Sequence, residues 1–189
     1  MTGGSDMKNF PLHKVVRLIE PGPVVMVSTL YHGRANLMTM GFHMMMQHDP
    51  PLIGAIVGPW DYSYDALHTT GECVIAIPGV DLIDKVVDIG NCSGNEVDKF
   101  AHFAFTRRKA KQVAPPLVDE CLANIECRVA DTQLVGQYDF FILEAVQAWI
   151  NPERKEQRIF HHKGDGTFSV AGRTLNRQDR MIRWKQFQD

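Results

Sequence analysis

Three apolar runs of strand length follow one another in the first third of the chain: 24–30 (VVMVSTL), 35–46 (ANLMTMGFHMMM) and 52–58 (LIGAIVG). Their breaks are short, a YHGR tetrad at 31–34 whose Gly33 suits a hairpin turn, and the Asp49-Pro50-Pro51 interruption. A parallel pair needs a crossover of a dozen or more residues. These connections are too short for one, so neighbouring runs must be antiparallel, and an antiparallel meander is the simplest arrangement. Gly41 inside the second run marks a break or bulge.

The rest of the chain continues in the same style. Residues 60–71 (WDYSYDALHTTG) read as a loop leading into a short helix that ends near Gly71. Residues 72–77 (ECVIAI) form a fourth strand closed by Pro78-Gly79. Leu82, Ile83, Val86 and Val87 recur at helical spacing over 81–89. Ser93-Gly94-Asn95-Glu96 has the form of a capping box and predicts a helix running towards Phe103. A basic loop follows at 106–116, then strands at 123–130 and 139–150, a polar connection at 151–165, a short apolar piece at 167–171 and a charged tail of helical character at 176–189. Six or more short antiparallel strands with a few helices make a mainly β chain, a β-barrel with helical insertions. A doubly wound sheet needs alternating strands and helices, and no G-x-G-x-x-G follows the first strand. The organisation expected is a lead segment 1–20, a barrel domain 21–150 and an extension 151–189 packing on the same domain or on a partner copy.

Composition excludes several classes of function. With 20 Lys and Arg against 22 Asp and Glu the net charge is -2, which disfavours nucleic acid as a partner. No apolar run approaches the ~18 residues of a membrane helix, so no membrane association is expected. The N-terminus lacks the apolar segment of a secretory signal. Cys73, Cys92, Cys121 and Cys127 include no C-x-x-C pair, which fits reduced thiols in a cytoplasmic protein. His43 and His48 lie close in sequence without a third ligand, and no metal site is expected.

Five of the nine methionines fall in the second run: Met38, Met40, Met44, Met45 and Met46. Thioethers mixed with Asn36 and Thr39 suit the wall of a site for something flat, polarisable and partly polar. Methionine also fills irregular core space, so Met44 to Met46 are read first as core or interface.

The order PGPVVMVSTL, GRANLMTMGF, HDPPLIGAIVGP, YSYDALHTTGECVIAIP, GNCSGNEVDKF and APPLVDECLANIECRV resembles the flavin reductase-like, or flavoredoxin, group of FMN-binding split β-barrel proteins. The likeness spans about 21–150. It implies a homodimer holding FMN non-covalently near the subunit interface. It also implies electron transfer from a reduced nicotinamide (NADH or NADPH) or a protein donor to free flavin, a ferric chelate or a partner protein. Two other readings stay open: a flavin-binding electron carrier with no substrate of its own, and a haem-binding split barrel with an axial ligand such as His161.

The resemblance also implies where the cofactor would lie. The strand containing Asn36, Leu37, Met38, Thr39 and Met40 corresponds to the one along the isoalloxazine ring, whose N3–H, O2, O4 and N5 a strand edge can match. Alternation sends Asn36 and Met38 to one face and Leu37 and Thr39 to the other, so backbone contacts from Leu37 to Met40 are expected, with one polar side chain helping. Ser28 and Thr29 are hydroxyl donors for the phosphate, and Ser63, followed by Tyr64, opens the next helix. Asp61 is unfavourable beside a phosphate, which leaves the cation open. Lys99 is the first candidate, in its own subunit or across a dimer. Ser93 caps a helix and faces the flavin. Apart from the resemblance, His161 and His162 precede a glycine-rich turn that either closes over the cofactor, with His162 at the site, or leaves them as exposed histidines of a polar loop. The competing structural roles are a turn contact for Asn36, a plain N-cap for Ser63 and a surface ion pair for Lys99. Trp60 and Tyr62 either stack on a ligand or anchor a loop. No side-chain acid or base is required, and no catalytic residue is assigned.

Overall fold

The computed structural model describes residues 7–19 and 22–183. Its strands are β1 (Lys8–Phe10), β2 (Val25–Tyr31), β3 (Arg34–Met40), β4 (His43–Gln47), β5 (Leu52–Ile56), β6 (Glu72–Ile77), β7 (Arg107–Arg108), β8 (Leu117–Val118), β9 (Ala123–Asp131), β10 (Phe140–Ile150), β11 (Phe160–His162) and β12 (Phe168–Val170). Its helices are α1 (Val16–Ile19), α2 (Tyr64–Thr70), α3 (Ile83–Gly90), α4 (Lys99–His102) and α5 (Val135–Tyr138).

Eight strands form one antiparallel sheet in the order β3-β2-β6-β9-β10-β5-β4, with β1 also paired to β10. The local hairpins are those expected. β2 and β3 meet at Tyr31↔Arg34 through His32 (φ 48) and Gly33 (φ 74), two left-handed residues as a tight hairpin turn of matching twist requires. The sheet is not a plain meander, because β2 also pairs with β6 and β5 with β10. β3 and β4 sit at opposite ends of the ladder, yet only Gly41 and Phe42 join them. The sheet must therefore coil until its ends approach, giving a barrel split between β3 and β4.

Side-chain alternation divides the two faces. Val25 and Val27, Met40, Ile53 and Ala55, Cys73 and Ile75, Ile125, Phe141 and Leu143 fill the interior. On the outside of β2 and β3, Met26, Ala35 and Leu37 are buried by Val86 and Ile89 of α3, by Phe100 of α4 and by Phe160. The β11–β12 ribbon reaches this side through the Val24 N–H, which donates to the Phe160 carbonyl at 2.9 Å.

Several sequence expectations need correction. Residues 93–96 are a turn, not the first turn of a helix. The Ser93 hydroxyl accepts the Asn95 N–H at 3.2 Å, and the helix opens only at Lys99, capped by Asp98 accepting from the Ala101 N–H at 3.2 Å. Asp98, five residues further on, is the stronger cap here, because a carboxylate both accepts N–H groups and favours the positive end of a helix. The lead segment contains a strand, β1, because β10 is long enough to pair with a third partner. The basic loop is anchored by the buried Glu126 carboxylate, which accepts the N–H groups of Lys111 (3.0 Å), Gln112 (2.5 Å) and Val113 (3.2 Å) and the Trp149 Nε1–H (2.7 Å). The tail, read as helical, has 3-10 turns rather than α-helix among its described residues, at Gln178–Arg180 and at 182–183, and 184–189 lie outside them.

Candidate functional site

β3 pairs with β2 on one side only, so its other edge is open. Against it lie the loop before α2 and the 91–98 loop between α3 and α4. Between them are two adjoining hollows, of about 460 Å³ and about 260 Å³. Asn36, Trp60, Asp61, Tyr62 and Ser93 line both. Thr29, Arg34 and Asn95 belong to the larger; Met38, Thr39, Cys92, Gly94 and Lys99 belong to the smaller.

A buried polar spine stands behind the shared wall. The Asn36 Nδ2 donates to the Ser63 Oγ at 2.9 Å, and the Thr29 hydroxyl approaches the same oxygen at 3.4 Å. Asn36 and Ser63 are buried. Ser63 occupies the N-cap position of α2, but its side chain makes no capping hydrogen bond. It orients Asn36 instead. The other end of that amide, Oδ1, is buried with no hydrogen-bond partner among the described residues. An unmet buried acceptor costs roughly 1–3 kcal/mol, and Asn36 lines both hollows. Gly94 presses on the same place: a Cβ there would fall 2.2 Å from Asn36 Oδ1 and 2.4 Å from Tyr62 Cδ1. Only glycine lets the 91–98 loop lie this close to β3.

Two cations serve the two hollows. Lys99 is only 4% exposed, and its Nζ donates to the Ile89 carbonyl at 2.9 Å. Burial pushes its pKa down, and the neighbouring Cys92 and Asp61 oppose that shift. Lys99 is therefore not a surface charge paired with Asp98 or Glu96; Asp98 instead binds Arg107 at 2.6 Å. Arg34 stands at the larger hollow, its guanidinium 5.8 Å from the Tyr62 ring centroid and 3.5 Å from the Asn95 carbonyl. Asp61, the residue expected to be unfavourable, accepts the Gly58 N–H at 3.0 Å through Oδ2.

Of the residues expected at a site, Thr29, Asn36, Met38, Thr39, Ser93 and Lys99 line the hollows, with Ser63 directly behind. The Thr39 hydroxyl donates to the Val86 carbonyl at 2.5 Å, so it ties β3 to α3, away from Asn36 as alternation requires. Ser28, Leu37, Met40, Tyr64 and His162 do not line the hollows. Ser28, Leu37 and Met40 are buried in the sheet. Tyr64 packs edge-on to Phe141 at 6.0 Å. His162 is on β11, where its Nε2 accepts the Gly166 N–H at 3.1 Å and its ring lies 5.1 Å from Phe168. Arg34, Gly94, Asn95 and Cys92 were not foreseen. Arg34 sat inside the turn tetrad two residues before Asn36, and Gly94 inside the supposed capping box.

The four cysteines are free thiols. No group of three or more His, Cys, Asp or Glu side chains that could hold a metal ion occurs among the described residues. No helix among them is long and apolar enough to cross a membrane.

The model of the flavin reductase like domain matches residues 17–169. An uncharacterized protein of Archaeoglobus fulgidus is 31% identical over 111 residues, 59% of this chain; the match spans 63% of that relative's length. Among solved structures, an FMN-binding domain of a flavin reductases-like enzyme from Shewanella baltica superposes with a TM-score of 0.84 at 22% identity, over 92% of this chain and 98% of that one. A flavoredoxin of Desulfovibrio vulgaris gives 0.74 at 22% identity, over 82% and 89%.

Proposed function

Because this chain belongs to the flavin reductase-like domain family, we propose that it binds FMN in the joined hollows along β3 and acts as an oxidoreductase. The observation that carries this reading is the Asn36 amide, locked by Ser63 and left with a buried unmatched acceptor where Gly94 closes on the strand. A flavin ring offers an N–H donor of the kind that oxygen lacks, and its carbonyl edge suits the open backbone of β3. Bound there, FMN supplies hydride and single-electron chemistry that no side chain of the protein provides.

The chain's own contribution is binding and orientation. Thr29 and the Arg34 guanidinium stand in the larger hollow, where a phosphate with close to two negative charges would find a hydroxyl and a forked cation. Lys99, buried beside the smaller hollow, places a positive charge near the ring end. Asp61 also lines both hollows; its Oδ2 accepts the Gly58 N–H and its charge favours the protonated form of Lys99. Trp60 and Tyr62, 75% and 43% exposed, flank both hollows and offer faces against which a flat donor or acceptor can stack. The electron donor is NADH, NADPH or a reduced protein, and the acceptor is a free flavin, a ferric chelate or a protein.

We also read the chain as a homodimer. The outer face of β4, β5 and β10 supports this: Phe42, Met44 and Met46 are 74%, 57% and 43% exposed beside half-buried Leu52, Ile56, Phe140 and Ile142. A contiguous apolar face of this kind on a folded domain marks an interaction surface.

The test is reconstitution with FMN followed by anaerobic addition of NADH, then NADPH, then a ferric chelate. Uptake of FMN with an altered flavin spectrum, bleaching by one nicotinamide and recovery with the acceptor are expected. Protein that takes up no FMN sinks the reading. Protein that binds FMN but is reduced by neither nicotinamide leaves the protein-donor or carrier form.

A further inference from the structure

The chain leaves the barrel after β12 in an extended arm, 172–183, every residue of which is exposed. Hydrogen bonds within the arm help to shape it: Asn176 Nδ2 to Gln178 Oε1, the Gln178 N–H to Asn176 Oδ1, and the Arg180 N–H to the Arg177 carbonyl. It nevertheless carries large apolar side chains, with Leu175 57% and Ile182 68% exposed. Leu175 and Ile182 are therefore open to water in the single copy.

Charge separates the arm from the rest of the chain. Residues 172–189 hold five Lys and Arg and two Asp, leaving 15 basic against 20 acidic residues in 1–171. The arm is thus basic and the remainder acidic. The bare face of β4, β5 and β10 has the matching composition. Beside Phe42, Met44 and Phe140 is a hollow of about 290 Å³. Glu144 lies half-buried on the same face between Leu52 of β5 and Arg128 of β9, and Asp49 and Asp139 lie in the turns that follow β4 and precede β10.

We propose that the arm of one copy lies across the β4–β5–β10 face of a second copy, seating Leu175 and Ile182 against the Phe42, Met44 and Phe140 surface and its arginines against Asp49 and Asp139. The inference rests on the homodimer reading and adds the element that holds the dimer together. Two equivalent exchanges by a two-fold pair cover both bare faces at once.

Arm side chains are exposed in the single copy, so substituting them leaves the barrel intact. Sedimentation of the full-length chain over a range of concentrations reads the dimer. Leu175→Asp with Ile182→Asp raises the dimer dissociation constant at least about tenfold, as does Arg173→Glu with Arg177→Glu. The arginine variant also loses the weakening that high salt causes in the unaltered chain. Under oxidation, a chain carrying both Leu175→Cys and Met44→Cys gives a covalent dimer; a bridge within one chain would show the arm folding back on its own barrel and overturn the proposal. A dimer whose dissociation constant ignores both sets of arm substitutions overturns the arm's role and leaves the homodimer standing. A full-length chain monomeric at every concentration removes both.

Discussion

β3 and β4 come from one methionine-rich stretch, are separated by two residues, and end as the two open edges of the same sheet. Their surroundings are opposite. On β3, Met40 is 4% exposed in the barrel interior and Leu37 is sealed under α3 and α4, while the free edge faces hollows lined by Asn36 and Thr39. On β4, Met44 and Met46 are exposed, with none of the described residues lying over them. The residue type therefore does not fix the role. What later segments of chain bring against each edge does: the α3–α4 region covers β3 and makes a site, and no segment among the described residues covers β4's outer face.

The sharpest way to break this contrast is to make the same change on both strands. Met40→Ala removes an interior side chain and costs roughly 2–5 kcal/mol. Met44→Ala costs within about 0.5 kcal/mol of the single copy's stability. Urea unfolding at concentrations too low for association measures both. Equal costs would mean that β4 is covered in the single copy and that the two edges do not differ.

A second attack is on the closeness of the cover over β3. In Gly94→Ala the new methyl meets Asn36 Oδ1 and the Tyr62 ring at distances no Cβ tolerates, so the 91–98 loop must lift. Overpacking of this kind costs roughly 1–3 kcal/mol, and FMN affinity should fall with it. Flavin fluorescence titration alongside a thermal melt separates the two effects. Unchanged FMN binding would show that the loop is not a wall of the cofactor site.

Much of this architecture was legible in the residues, and the gaps have physical causes. The β2–β3 hairpin, the break at Gly41 and strand β6 follow from short-range signals: turn chemistry, β-branched runs, glycine. β1 and the pairing of β2 with β6 do not, because they depend on which distant strand is free to pair. Within the site, the alternation of Asn36 and Thr39 was readable from the two-residue period of a strand. Lys99 was readable only as a cation; its burial depends on α4 folding back onto β3. Arg34 and Gly94 were hidden in motifs that already had a local explanation, a hairpin turn and a capping box. The second of those explanations was wrong, since the cap belongs to Asp98.

Arg34 and Lys99 divide the site further. If Arg34 meets the phosphate, Arg34→Gln weakens FMN roughly 10–100-fold, the scale of one charge-assisted contact, and leaves riboflavin nearly unaffected. Lys99→Met should weaken FMN and riboflavin alike, because Lys99 lines the smaller hollow with Met38 and Gly94. Binding titrations with both ligands give the comparison. The opposite pattern would exchange the ends of the cofactor in the two hollows.

The smallest effect concerns the joint between the two edges. His43 opens β4 just after the Gly41–Phe42 link, and its Nε2 is 2.7 Å from the Pro23 carbonyl at the foot of β2. That contact requires a protonated Nε2, so the neutral ring carries its proton there and leaves Nδ1 bare, buried without a partner among the described residues. Burial lowers its pKa below the ordinary 6.5, and the hydrogen bond to Pro23 only partly opposes this. Below about pH 6.5 the unfolded chain thus binds more protons at this residue than the folded one, and stability must fall as pH falls. Above that value the contribution is fully present. His43→Gln keeps an N–H donor and removes the titration, so its urea midpoint should drop less than that of the unaltered chain between about pH 7 and pH 5. Parallel pH curves for the two proteins would show that the joint is open to water, and that the link between the covered and the bare edge is looser than its hydrogen bond implies.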